Sequence, residues 1–427
     1  MVATPRRTVL TGIGPVTPIG LSPETFWASL CDGRSGVRRI QSFDPTGLPT
    51  QIGGEVLGFD ARDFIDKKDR KALKMMTRTS HLAVAAAQLA LADAQVDRAS
   101  LDPARFGVVL GSGTIPGGLE ELSPAAWASI DVGRRAVDLK KWGRDGIPTI
   151  PPTWMLYHVP NMPACFVSIL HNAQGPNNSI TQTDLGGLLA VGEACRIIAR
   201  DHADLFLVGG ADTMMNPISM VRQCLFRSLS RRNESPESAC RPFDRNRDGL
   251  VPGEGATLLV LEALDHARRR GARVYGEVIG FGAAFDRNRT GLGLARAVKL
   301  AMAEAGIAPR EIDHVNAQGF STVDADAWEA RALNLVFGAD LVSIPVFAAK
   351  SYFGTLGVGA NSTELAASLL AVQRGLLPAT LNYREPDPAC PAAVNREPRP
   401  VTRPCFLKIA FTELGQCAAA VIRKWEE

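Results

Sequence analysis

The stretch GPNNSITQTDLGGLLAVGEACRIIARDHADLFLVGGAD, residues 175–212, reads as a strand, a turn, a long helix and another strand in direct succession. The run GGLLAVGEACRIIA is apolar on nearly every side, the pattern of a helix enclosed by other elements, and LFLVGGAD is a short apolar run closed by turn residues. A strand that feeds straight into a buried helix presents one side chain at the junction, and here that residue is Asp184. A carboxylate in this place has two readings. It is either an N-cap, accepting from the free N–H groups of the first helical turn, or a working group displayed at the end of a strand.

The same rhythm recurs on both sides. TVLTGIG precedes a helix in SPETFWASL, and the helix SHLAVAAAQLALADAQV precedes the strand FGVVLGSGT. This alternation defines the α/β class, sheets covered by helices. A second round opens near residue 272: ARVYGEVIGFG repeats the character of RRTVLTGIG, and NSTELAASLLAVQRGLLPA repeats the buried-helix character of the run after Asp184. Two related halves are expected, residues 6–262 and 263–427. The segment RRAVDLKKWGRDGIPTIPPTWMLYHVPNMP, residues 134–163, breaks the rhythm and reads as part of an inserted cap or interface loop over about 119–163.

Composition narrows the function. With 427 residues, 46% of them hydrophobic, the chain can bury one large core or two fused ones. Lys and Arg number 47 against 44 Asp and Glu, spread along the chain, so a nucleic-acid or anionic-membrane surface is not expected. Eight cysteines show no CxxC and no paired spacing, which argues against a zinc site and a disulfide framework and fits a reducing cytoplasm. MVATPRRTVLTGIG reaches Gly12 and Gly14 too soon for a signal peptide, and no apolar run reaches membrane-spanning length.

Two motifs imitate ligand sites. DRNRDG, residues 244–249, matches the start of a calcium loop, but the required bidentate Glu would fall on Gly255, and Pro252 intrudes. GIGPVTPIG and GSGTIPGG follow strands, yet neither is GxGxxG, and prolines stand where a phosphate-binding helix would start. Neither a metal nor a nucleotide or other cofactor is expected.

Taken together, RRTVLTGIGPVTPIG, ADLFLVGGAD, CRPFDRNRDGLVPGEGATLLVLEALDHARRRGA, HVNAQGFSTVDADAWEA and KSYFGTLGVGA resemble the β-ketoacyl-ACP synthases, the condensing enzymes of fatty-acid and polyketide synthesis. The resemblance covers about residues 6–425. It implies the thiolase fold, a five-layer αβαβα sandwich of two similar halves, normally dimeric, with association near residues 175–186 and the adjoining helices. In that family a cysteine nucleophile starts the buried helix, where the helix dipole favours thiolate, and two histidines stabilise the enolate formed by decarboxylation. The resemblance puts Asp184 at the cysteine position, Gln318 at the first histidine and Thr355 at the second. Lys350, Glu364, Asp326 and Glu329 match accompanying polar residues, Asp244, Arg247 and Asp248 match a structural turn, and IAFTELGQCAAA puts Glu413 at the gate, with Gln416 and Cys417 nearby.

A carboxylate is a poor acyl acceptor, since attack on a thioester gives a mixed anhydride. Cys195, more than a turn inside the helix, cannot substitute. The expected function is therefore a non-condensing subunit similar to the chain-length factors, binding acyl chains delivered by acyl carrier protein or acyl-CoA, as a homodimer or as a heterodimer with an active ketosynthase. The alternative is acid–base chemistry on an acyl thioester. If Glu413 lies beside Asp184 with Lys350 near, the like charges push one carboxyl well above its usual pKa of about 4, giving an acid and a base. Gln318 and Thr355 can each still donate one hydrogen bond to an oxyanion. The basic run Lys67, Lys68, Arg70, Lys71 and Lys74 is a solvated face or a carrier-docking patch.

Overall fold

The computed structural model describes residues 5–426. A ten-stranded sheet runs through it, built from β1 (Thr8–Val16), β2 (Phe106–Ser112), β3 (Asn177–Ile180), β4 (Leu205–Thr213), β5 (Glu254–Ala263), β6 (Gly276–Phe285), β7 (Ile312–Asn316), β8 (Val346–Phe347), β9 (Cys405–Phe411) and β10 (Gln416–Lys424). Across the sheet the order is β3-β2-β4-β5-β1 and then β6-β10-β9-β7-β8. Counted outward from the middle, both halves follow the same order. Their pairing senses agree as well: β1/β5 and β5/β4 are antiparallel, β4/β2 and β2/β3 parallel, and β6/β10, β10/β9, β9/β7 and β7/β8 repeat that sequence. The two halves join through a short antiparallel pairing of Thr8–Leu10 with Gly276–Val278.

Five helices complete the layers: α1 (Arg78–Asp93), α2 (Gly186–Ala199), α3 (Leu292–Ala305), α4 (Val323–Phe337) and α5 (Ala360–Arg374). The period-two alternation of the strands assigns each face its helix. Phe206 and Val208 of β4, with Phe406 and Ala410 of β9, turn inward onto α2 and α5. Leu205 and Leu207 turn outward onto α1, while Leu407 and Ile409 turn outward onto α3 and α4. The result is the five-layer αβαβα sandwich of the thiolase fold. In α5 every residue from Ala360 to Val372 is buried, the consequence of lying between the two halves of the sheet.

Gly14 shows what the first glycine cluster does. A methyl group there would stand 2.0 Å from the Ala86 carbonyl oxygen, so the motif lets α1 pack against β1. DRNRDG is equally structural: Asp244 accepts the N–H groups of Asn246, Arg384 and Glu385, and Arg247 pairs with Asp326 and Asp387. The cap forms a helix (Leu119–Ser129), a small hairpin and a string of short helical turns, with Trp127, Val132 and Leu139 exposed. All eight cysteines are unpaired, and among the described residues no helix is long and apolar enough to cross a membrane.

Candidate active site

Between β3 and α2 the chain makes one tight turn, Thr183–Leu185. That turn changes the fate of Asp184. The helix cap falls on Leu185, which makes no side-chain capping bond, and Asp184 instead points into the protein with 4% of its surface exposed. Its Oδ1 accepts the Thr355 hydroxyl at 3.1 Å and its Oδ2 accepts Arg227 Nη2 at 3.3 Å. The N-cap reading is thereby overturned. Thr183 has φ +41°, a left-handed conformation that costs a β-branched residue roughly 1–3 kcal/mol, and this strain accompanies the reversal that sends Asp184 inward.

Arg227 follows the helix Pro217–Phe226 and was not singled out in the sequence. Its Nε donates to Glu413 Oε2 at 2.8 Å, so one guanidinium lies between two carboxylates. The direct Asp184–Glu413 dyad expected from the sequence is replaced by this bridge. A planar fork of five donors serves two acids at once, and its positive charge stands between theirs. Burial works against the Arg227 charge, but Asp184 and Glu413 reverse the effect and raise its pKa above that of an ordinary arginine. The guanidinium also stands 5.4 Å from the Phe320 ring centre.

Lys350 belongs to a different cluster, a second correction. Its Nζ donates to the Gln318 carbonyl at 2.7 Å and to Glu364, whose other oxygen takes Lys408. The Lys350 ammonium lies 5.2 Å from the same Phe320 ring centre and does not line the cavity shared by Asp184 and Glu413. Gln318 is fully buried; its Oε1 accepts from Asn361 at 2.9 Å, and its Nε2 has no partner among the described residues. Thr355, by contrast, has committed its hydroxyl to Asp184. Behind Gln318, Glu329 accepts the Gln318 and Gly319 N–H groups at 2.7 and 2.9 Å, and burial pushes its carboxyl up. Burial likewise pushes Asp326 up to about 6, although it accepts from Phe243 and Ser321 and faces Arg247.

Asp184, Glu413 and Arg227 line a cavity of about 250 Å³ together with Asp212, Arg222, Thr114 and Thr183. Asp212 was also missed, although it closes LFLVGGAD as Asp184 closes SITQTD. It accepts the Val358 N–H at 3.2 Å and the Thr213 N–H at 2.9 Å, yet burial pushes its carboxyl up to about 7, with Asp184 adding to the rise. Gly357 makes the approach feasible: its φ is +54°, and a Cβ there would stand 2.3 Å from Asp212 Oδ2. A carboxyl whose folded pKa is raised retains protons that the unfolded chain has released, so its stabilising effect fades as pH climbs from about 4 to 7. Asp212→Asn should therefore gain stability relative to the parent at pH 8 over pH 5, by on the order of 2–4 kcal/mol, in urea unfolding at the two pH values. An equal effect at both would contradict the raised pKa.

Two matching halves around buried central helices, with Asp184 at a strand-to-helix junction, are the architecture of a thiolase-fold protein. The chain belongs to the β-ketoacyl synthase family: the family's N-terminal domain model matches residues 6–267 and its C-terminal domain model residues 275–384. It is 34% identical over 391 residues to 3-oxoacyl-[acyl-carrier-protein] synthase 2 of Synechocystis sp., covering 90% of each chain. The ishigamide ketosynthase/chain length factor superposes with a TM-score of 0.86 at 28% identity, over 99% of this chain and 100% of that one. A type II polyketide acyl-carrier protein in complex with its ketosynthase bound to the hexaketide gives a TM-score of 0.84 at 27% identity, over 99% and 100%. The chain is thus a ketosynthase-family protein of fatty-acid or polyketide synthesis.

Proposed function

We propose that this chain is a non-condensing ketosynthase-like subunit, similar in role to a chain-length factor, which holds an acyl chain and pairs with an active ketosynthase. One observation carries the reading: Asp184, at the expected nucleophile position, is a buried carboxylate neutralised by Arg227 and bonded to Thr355. No nearby thiol takes over its role. Burial pushes the Cys195 thiol up to about 12, and its sulfur accepts the Thr8 hydroxyl; Cys417 is pushed up to about 12 as well. Gln318 and Thr355 supply no imidazole to stabilise an enolate or move a proton.

The isolated protein, given an acyl primer and malonyl-ACP, is expected to form no β-ketoacyl product, and mixing it with an active ketosynthase is expected to change the product's chain length. Product from the isolated chain that survives replacement of all eight cysteines would refute the reading, and loss of such product on changing one cysteine would locate a thiol nucleophile elsewhere. The open β3 edge of the sheet and the exposed apolar side chains of the cap support a dimer, either of two copies or with that ketosynthase. Carrier protein is the expected donor, with the exposed Lys67, Lys68, Arg70, Lys71 and Lys74 as one docking candidate. The division into halves at 262/263 and a cytoplasmic location belong to the same proposal.

A second reading, acid–base chemistry on an acyl thioester, is favoured by Asp212 rather than by the expected Glu413 and Lys350. Its carboxyl is pushed to about 7 in the cavity that contains Asp184, which suits proton transfer near neutral pH. Thioester turnover abolished by Asp212→Asn, with acyl binding retained, would select this reading over the first.

A further inference from the structure

The Arg227–Glu413 pair has the layout of a ligand site occupied from within. Asp184 and Arg227 are fixed parts, their side chains 5% and 15% exposed, whereas the Glu413 side chain is 35% exposed. Glu413 rides on the turn between β9 and β10, closed by a Gly415 N–H to Thr412 carbonyl bond of 3.0 Å with Gly415 at φ +103°. Beside it Leu414 is 72% exposed. Of the two acids on Arg227, one is built into the floor and the other can be reached from solvent.

Beneath Glu413 lies the 250 Å³ cavity, where Asp184 and Asp212 face Arg222 and Arg227. If Glu413 withdraws, the Nε–H edge of a largely buried guanidinium loses its acceptor and the cavity loses one negative charge. A carboxylate arriving on a ligand restores both, in the bond geometry Glu413 already demonstrates. A second cavity of about 720 Å³ shares Phe226, Arg227, Glu413 and Leu414 with the first, giving the remainder of such a ligand room to extend.

We propose that this site takes acyl thioesters whose distal end carries a free carboxylate, which displaces Glu413 from Arg227 and seats the acyl group in the smaller cavity. The assignment rests on the acyl-binding reading above and names the acyl class. Glu413 then acts as an internal competitor that keeps the site satisfied when no such chain is present.

Calorimetric titration of the intact protein with two N-acetylcysteamine thioesters tests this. Glutaryl and pentanoyl esters match in length and differ in the terminal carboxylate. The glutaryl ester is expected to bind at least about tenfold tighter. Glu413→Gln, a change at a partly exposed position, should tighten glutaryl binding severalfold relative to pentanoyl binding. Arg227→Gln should erase the preference, and Arg227→Lys should retain part of it. Equal affinity for the two esters, or glutaryl binding indifferent to Glu413→Gln, overturns the proposal while leaving the acyl-binding reading intact. Binding of neither ester overturns both.

Discussion

Arg227→Leu is expected to lower the free energy of unfolding by about 3–5 kcal/mol, because deleting one member of a buried ion cluster strands the others. The loss should be unevenly divided. The Asp184 side chain, 5% exposed on the cavity floor, keeps only the Thr355 hydroxyl as a hydrogen-bond partner among the described residues and cannot swing outward to hydrate fully. Glu413, 35% exposed at the tip of a turn, can swing outward and hydrate, so losing its half of the bridge costs little. A double-mutant comparison separates the two acids. Adding Asp184→Asn to Arg227→Leu should recover most of the lost stability, since the stranded charge is gone, whereas adding Glu413→Gln should recover little. Urea unfolding of the four chains reads the result. A single-mutant effect within about 1 kcal/mol of zero, or recovery through Glu413 instead of Asp184, would mean that Arg227 does not neutralise a buried Asp184.

The same contrast explains what could be read from the sequence. Layers and duplication were legible because hydrophobic period and glycine placement are local properties: β1 and β6 repeat a pattern, and α2 and α5 are apolar all round. The position of Asp184 was legible for the same reason, as the junction between a strand and a buried helix. Its partners were not. Arg227 and Thr355 lie 43 and 171 positions away in the chain, and nothing in SMVRQCLFRSLSRRNE marks one arginine among several as the inward one. The N-cap reading failed because a single tight turn moved the cap to Leu185. The expected neighbourhood of Lys350 failed because a buried ammonium goes to the acid that compensates its desolvation best. That acid is Glu364 on α5, which faces Lys350 and Lys408 together.

Glu364→Gln should be the other severe substitution, costing about 3–5 kcal/mol at pH 7. Both Glu364 oxygens are occupied, one by Lys350 and one by Lys408, and all three side chains are at most 1% exposed. An amide in the same place leaves two neighbouring ammonium groups without the carboxylate they both bond, and it turns a donor toward one of them. Burial already lowers the Lys408 pKa below the usual lysine value, with Glu364 opposing the fall. Removing Glu364 therefore drives it lower. A lysine whose folded pKa is depressed is neutral in the folded protein while the unfolded chain still holds its proton, so stability rises with pH through that window. The deficit of Glu364→Gln relative to the parent should accordingly shrink between pH 7 and pH 9, as Lys408 sheds in the folded variant the proton it can no longer compensate. Urea unfolding at both pH values measures the difference. A deficit that is constant or larger at pH 9 would rule out the stranded Lys408 charge as its source and leave lost packing around α5 as the cause.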